Sequence, residues 1–103
     1  GGEDVAFVQI IEFRTSKFDE MRKLEEEWEA AAGPESTARR VITGADREDP
    51  GRYLQVVLFD SYESAMENSN LPVTQEFAQK MMALSDGPPT FHNLDVVDDR
   101  TMA

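Results

Sequence analysis

Two stretches of this chain are apolar on both faces of a β-strand, and that pattern constrains the fold more than any other feature of the sequence. Residues 5 to 14, VAFVQIIEFR, place Val5, Phe7, Gln9, Ile11 and Phe13 on one face. The other face carries Ala6, Val8, Ile10, Glu12 and Arg14, because successive side chains of a strand alternate. Residues 53 to 60, YLQVVLFD, set Tyr53, Gln55, Val57 and Phe59 against Leu54, Val56 and Leu58. Both runs are β-branched and aromatic, with no Gly or Pro, which favours strands. A sheet wetted on one side would leave half of these side chains in water, so both faces must be covered.

The segments between them supply one cover. Thr15-Ser16, with Asp19 three residues after Ser16, offers a helix start of the capping-box kind. Phe18, Met21, Leu24, Trp28, Ala31 and Ala32 then recur at helical spacing, with Glu25, Glu26, Glu27 and Glu29 assigned to the solvated side. Gly33-Pro34 ends that helix. Residues 37 to 44 read as a second strand with Arg39 and Arg40 on opposite faces, and Asp49-Pro50-Gly51-Arg52 as a type II turn into the third. Asp60-Ser61 caps a short helix to about Asn68, an Asn70-Leu71-Pro72 joint follows, and Phe77, Ala78, Met81, Met82 and Leu84 mark a second run. Thr90 to Val97 closes as a fourth strand after Asp86-Gly87-Pro88-Pro89.

The order β-α-β-β-α-β is the ferredoxin-like plan of the α+β class: an antiparallel four-stranded sheet in spatial order 4-1-3-2 with its helices on one face. The other face is then bare and apolar, and a second copy of the chain is the natural cover, giving a homodimer. Residues 1–103 read as a single domain with frayed ends at Asp4 and earlier and at 98–103. The Gly1-Gly2 start, lacking Met, reads as a trimmed end or cloning remnant.

Charge removes several function classes. Ten Lys and Arg against twenty-one Asp and Glu give a net charge of −11, so nucleic acid and anionic membrane surfaces are repelled. No apolar run approaches the ~20 residues that span a bilayer. The chain has no cysteine, which excludes disulfides, thiolate metal sites and thiol catalysis and suits a cytoplasmic setting. The acidic clusters lack the spacing of a calcium loop, and no zinc-type His pair is present, so no metal is expected.

On these elements, and on FDSYESAMENSN at residues 59 to 70, where a strand runs straight into a helix, the chain resembles the dimeric α+β barrel superfamily. Within it the likeness is to the antibiotic-biosynthesis-monooxygenase-like domains, over nearly all of residues 5 to 97. The resemblance implies a pocket between helices and sheet, with Trp, Asn, Tyr and Arg groups around a phenolic substrate and no cofactor. Trp28, the sole Trp, departs from the family in lying on the first helix. The superfamily's haem degraders combine Asn on strand 1 with Trp and His on later helices; here strand 1 offers Gln9 and the sole His, His92, is on the last strand.

Two readings of function follow. In the first, the chain is a cofactor-independent, monooxygenase-like enzyme acting on a small lipophilic aromatic compound. His92, Trp28 and Asn68 are then the catalytic candidates, His92 because its ordinary pKa lies near neutrality. Tyr62, Gln9, Gln55, Arg39, Arg40, Asn70, Phe77 and Met81 are the substrate-binding candidates. In the second, the chain is a non-catalytic dimer that binds a small ligand or serves a structural role. Each candidate also has an ordinary use: Gln9 and Gln55 can bond one another across the sheet, Asn68 and Asn70 can cap helix ends, Arg39 and Arg40 can pair with the surplus carboxylates, and a Met and aromatic stripe is usually core.

Overall fold

A computed structural model of the chain describes residues 4–103. The expectations for Gly1 and Gly2, and for fraying before Asp4, lie outside the described residues. The elements are β1 (Phe7–Arg14), α1 (Phe18–Ala32), β2 (Arg40–Ala45), β3 (Arg52–Phe59), α2 (Tyr62–Asn70), α3 (Pro72–Leu84) and β4 (Thr90–Asp95), with a 3-10 turn at Gly33–Glu35 after α1. The sheet is antiparallel throughout, in the order β2-β3-β1-β4, as the ferredoxin-like plan requires.

Register sorts the side chains into two layers. Phe7 stands opposite Phe59, Gln9 opposite Val57, Ile11 opposite Gln55 and Phe13 opposite Tyr53, and this is the face the helices cover. Phe7, Val57 and Phe59 are buried there with Ala65 of α2. Met21 of α1 is the one large side chain fully enclosed among the described residues. Phe13, Tyr53 and Phe18 stack in turn, with centroids 5.5 and 4.4 Å apart, and close one end of the layer.

The opposite face carries Val8 and Ile10 of β1, Leu54, Val56 and Leu58 of β3, Ile42 of β2 and Leu94 of β4. Among the described residues no helix lies over it, and Ile42 and Leu94 are each 45% exposed. At the end of this face Arg52 bridges Glu12 (3.0 Å) and Asp46 (2.7 Å), and Arg14 pairs with Asp49.

Local chemistry accounts for the departures from the sequence reading. The Ser16 cap does not form; Lys17 takes the N-cap position with no side-chain bond. Thr15 is buried, its hydroxyl donating to the Leu84 carbonyl (2.7 Å) and accepting from Lys17 N–H (2.9 Å), so it ties the start of α1 to the end of α3. The second strand begins at Arg40, three residues late, because α2 holds the preceding backbone: Thr37 N–H donates to Asn68 Oδ1 and its hydroxyl to the Ser64 carbonyl. β4 ends at Asp95, with one further bond from Val96 N–H to the Ala6 carbonyl (2.9 Å). Ser61 and Ser64 cap α2 reciprocally at 3.0 and 3.1 Å. Gly51, at φ +90°, gives the turn before β3 the backbone that it requires. No helix among the described residues is long and apolar enough to cross a membrane.

Candidate functional site

Met21, Glu25, Trp28 and Ala32 fall four, three and four residues apart, so α1 presents all of them on one face, and that face is turned to the sheet. Between it, β1, β3 and α3 lies a cavity of about 90 Å³. The sheet contributes Gln9, Ile11, Gln55 and Val57 to its wall; α1 contributes Glu25 and Trp28; Asn68, Thr74 and Phe77 come from the later helices.

Two acids assigned to solvent by the sequence, Glu25 and Glu29, line this wall; Glu29 is exposed, and for Glu25 the structure corrects the assignment. Glu25 Oε1 accepts a hydrogen bond from Gln55 Nε2, which also donates to Thr43 Oγ1 (3.2 Å). Burial pushes the Glu25 carboxyl above its ordinary value, the nearby Glu29 adds to that, and the Gln55 bond and Arg22 oppose it. A carboxylate held this way is a stronger base than one in water. The signal for it is in the sequence: its distance from Met21, Trp28 and Ala32 is that of a buried position.

The amides do not bond each other as the sequence suggested. Register sets Gln9 and Gln55 one step apart, opposite Val57 and Ile11 respectively, so each finds another partner. Gln9 Nε2 donates to Asn93 Oδ1 at 3.0 Å, and Gln55 turns to Glu25. Asn68 is buried; its Oδ1 accepts from Ser36 Oγ (3.2 Å) and Thr37 N–H (3.3 Å). Asn68 also lines the cavity. Trp28 Nε1–H donates to Thr74 Oγ1 at 2.9 Å, and its ring lies 5.9 Å from that of Phe77. Thr74 also escaped the sequence reading, for a lone Thr on a polar helix start carries no distinguishing pattern.

Of the sequence candidates, the structure brings Gln9, Trp28, Gln55, Asn68 and Phe77 to the cavity. The others stand elsewhere. His92 pairs with Ile10 in register, so it lies on the uncovered face, where its Nε2 is 3.0 Å from Glu12 Oε1. Tyr62 is 50% exposed and packs edge-on against Phe7. Arg39 forms a fork with Asp60 (2.9 and 2.7 Å), and Arg40 stands beside Leu58 on the uncovered face. Asn70 is exposed at the end of α2, and Met81 is half-buried in α3 outside the cavity wall.

The cavity is too small for a tetrapyrrole, and the sheet separates it from the chain's single imidazole, so these residues do not fit a haem site. No three His, Asp or Glu side chains among the described residues are grouped to hold a metal ion.

No protein-family model matches the sequence, and no curated protein matches it. Solved structures do match in fold. A mutant of SnoaB, a cofactor-independent oxygenase from Streptomyces nogalater, aligns with a TM-score of 0.78 at 11% identity, covering 93% of this chain and 97% of that one. A protein assigned as an antibiotic biosynthesis monooxygenase from Deinococcus radiodurans aligns at 0.75 and 13%, covering 94% and 98%. Another so assigned, from Chloroflexus aurantiacus J-10-fl, aligns at 0.70 and 18%, with the same coverage.

Proposed function

From a chain that has the fold of the antibiotic-biosynthesis-monooxygenase-like structures, we propose an enzyme of monooxygenase-like type that oxidises a small lipophilic aromatic compound in the cavity between α1, α3 and the sheet. The observation that carries this reading is the Glu25 carboxyl in that wall, made more basic by burial and steered by Gln55. A general base needs a raised affinity for a proton and a fixed direction, and Glu25 has both. A phenol entering the cavity donates its O–H to Glu25, and the resulting aryloxide is electron-rich enough to meet dioxygen. One oxygen atom of O2 replaces the hydrogen of a ring C–H to give a quinone carbonyl; the other leaves as water with the two hydrogens lost by the phenol. The electrons come from the substrate, so no external reductant enters.

Asn68 NH2 is suited to hold the substrate oxygen as charge grows on it, and Trp28 and Phe77 flank the ring. The apolar, uncovered sheet face supports a homodimeric form of the enzyme. The test is dioxygen uptake with a panel of phenols and naphthols, wild type against Glu25→Gln. Uptake with stoichiometric quinone in the wild type, lost in the variant, supports the proposal; equal rates in both overturn it. The small volume favours one other reading, a ligand-binding protein without turnover, which binding of a phenol with no oxygen uptake would establish.

A further inference from the structure

Trp28 and Phe77 each line two spaces. On their inner side is the cavity with Glu25; on their outer side is a groove of about 120 Å³ between α1 and α3, floored by Leu24, Ala31 and Val73. The two rings, tilted by 36°, are therefore the partition between them. The partition has a single polar latch, the bond from Trp28 Nε1–H to Thr74 Oγ1. It is also carried on a loosely seated element, for no side chain of α3 is fully buried, and the helix is bounded by Pro72 and, just beyond its end, by Gly87 at φ +112°. The inner cavity alone is smaller than the pockets that hold drug-sized ligands, which run to about 300 Å³ and above.

We propose that the inner cavity and the α1–α3 groove are one binding site divided by a movable Trp28–Phe77 partition, and that the ligand is an elongated phenol whose apolar tail lies in the groove. This rests on the cavity being the reaction site. The rim of the groove sets the charge of the tail: Glu27 and Glu76 against Lys80, with Lys80 3.3 Å from Glu76, leave a net negative charge. A neutral or cationic tail is accepted and an anionic one repelled.

Trp28 is the chain's only tryptophan, so its fluorescence reports on the partition directly. The probes are phenol and 4-n-alkylphenols from methyl to octyl, with a chain ending in carboxylate as the anionic control. Affinity should rise about fourfold per added methylene until the groove is full, as burial of each CH2 dictates. Trp28 emission should shift only with the longer chains, and the carboxylate-ended chain should bind more weakly than its neutral counterpart. Thr74→Val, which removes the latch at nearly constant volume, should favour the long chains further, and Ala31→Phe, a change at an exposed position, should abolish the chain-length increment. Affinity independent of chain length, or an increment that survives Ala31→Phe, overturns the proposal. Turnover of phenol with a flat series would leave the enzyme reading standing while this one fails; long-chain binding with no turnover of any phenol does the reverse.

Discussion

The side-chain amide of Gln55 on β3 donates to the carboxylate of Glu25 on α1, so the sheet reaches across the helix-sheet layer and fixes the direction of one of the two acids in the cavity wall, the other being Glu29. A bond of this kind is short-range and charge-assisted, and it determines which way Glu25 faces more than how strongly the layers adhere.

Burial raises the Glu25 pKa in the folded chain above its ordinary value of 4.5, so the folded state binds this proton more tightly than the unfolded one. The sign follows: its contribution to stability is complete below pH 4.5 and is lost as pH rises through the folded value. Glu25→Gln should therefore raise Tm at pH 7 by about 2–4 °C and have little effect in acid. Catalysis has the opposite slope, because a base must be unprotonated. Oxygen uptake should fall as pH drops through a midpoint above 4.5, and thermal melts and initial rates across pH 4–8 check both.

Glu12, Asp46 and Asp49 behave the other way. Hydrogen bonds from Arg52 lower Glu12, backbone N–H of Glu48 and then Arg52 lower Asp46, and Arg14 lowers Asp49. Stability from these groups is present above their ordinary values of 4.5 and 3.8 and is lost as pH falls through the lower folded values. Arg52→Gln should reduce Tm at neutral pH and flatten the acid limb of a Tm–pH curve. An unchanged acid limb would show that the bridges are silent, as many exposed pairs are.

Asn68 holds the stretch leading into β2 through Ser36 and Thr37 while lining the cavity. Asn68→Leu removes an acceptor from two donors in a part-buried setting, at a cost of about 1–3 kcal/mol. Asn68→Asp keeps the acceptor and removes the NH2 donor. Denaturant melts should show the leucine variant much the weaker, whereas both variants should lose phenol oxidation.

A second copy over Val8, Ile10, Val56 and Leu58 would cover the apolar face that the helices leave bare. Light scattering should give twice the mass of one chain for the wild type. Val56→Asp, placing a charge in the middle of that face, should give the mass of one chain with an unchanged far-ultraviolet spectrum.

The strands, their order and the existence of two sheet faces are legible in the sequence because apolar alternation is a direct record of burial. Position within those faces is less so. His92 is the obvious base by residue type, yet its pairing with Ile10 in register sends it to the face away from the helices. That pairing is a tertiary fact, set by register. Glu25 illustrates the converse: its spacing from Met21 and Trp28 is that of a buried residue, but a run of glutamates reads as solvated until a partner such as Gln55 is seen. Helix starts depend on single hydroxyls, and Thr15 is spoken for by Leu84, a residue sixty-nine positions away.

The loose seating of α3 gives the chain a hierarchy of opening. With no side chain fully enclosed, α3 can detach without the sheet coming apart, so its amides should exchange with deuterated water well before those of β1 and β3. Anything bound beneath it slows that exchange by the factor its occupancy imposes. The protection of residues 72 to 84 is thus a ligand assay that needs neither a chromophore nor turnover, and it can screen a metabolite extract for whatever this roof closes upon.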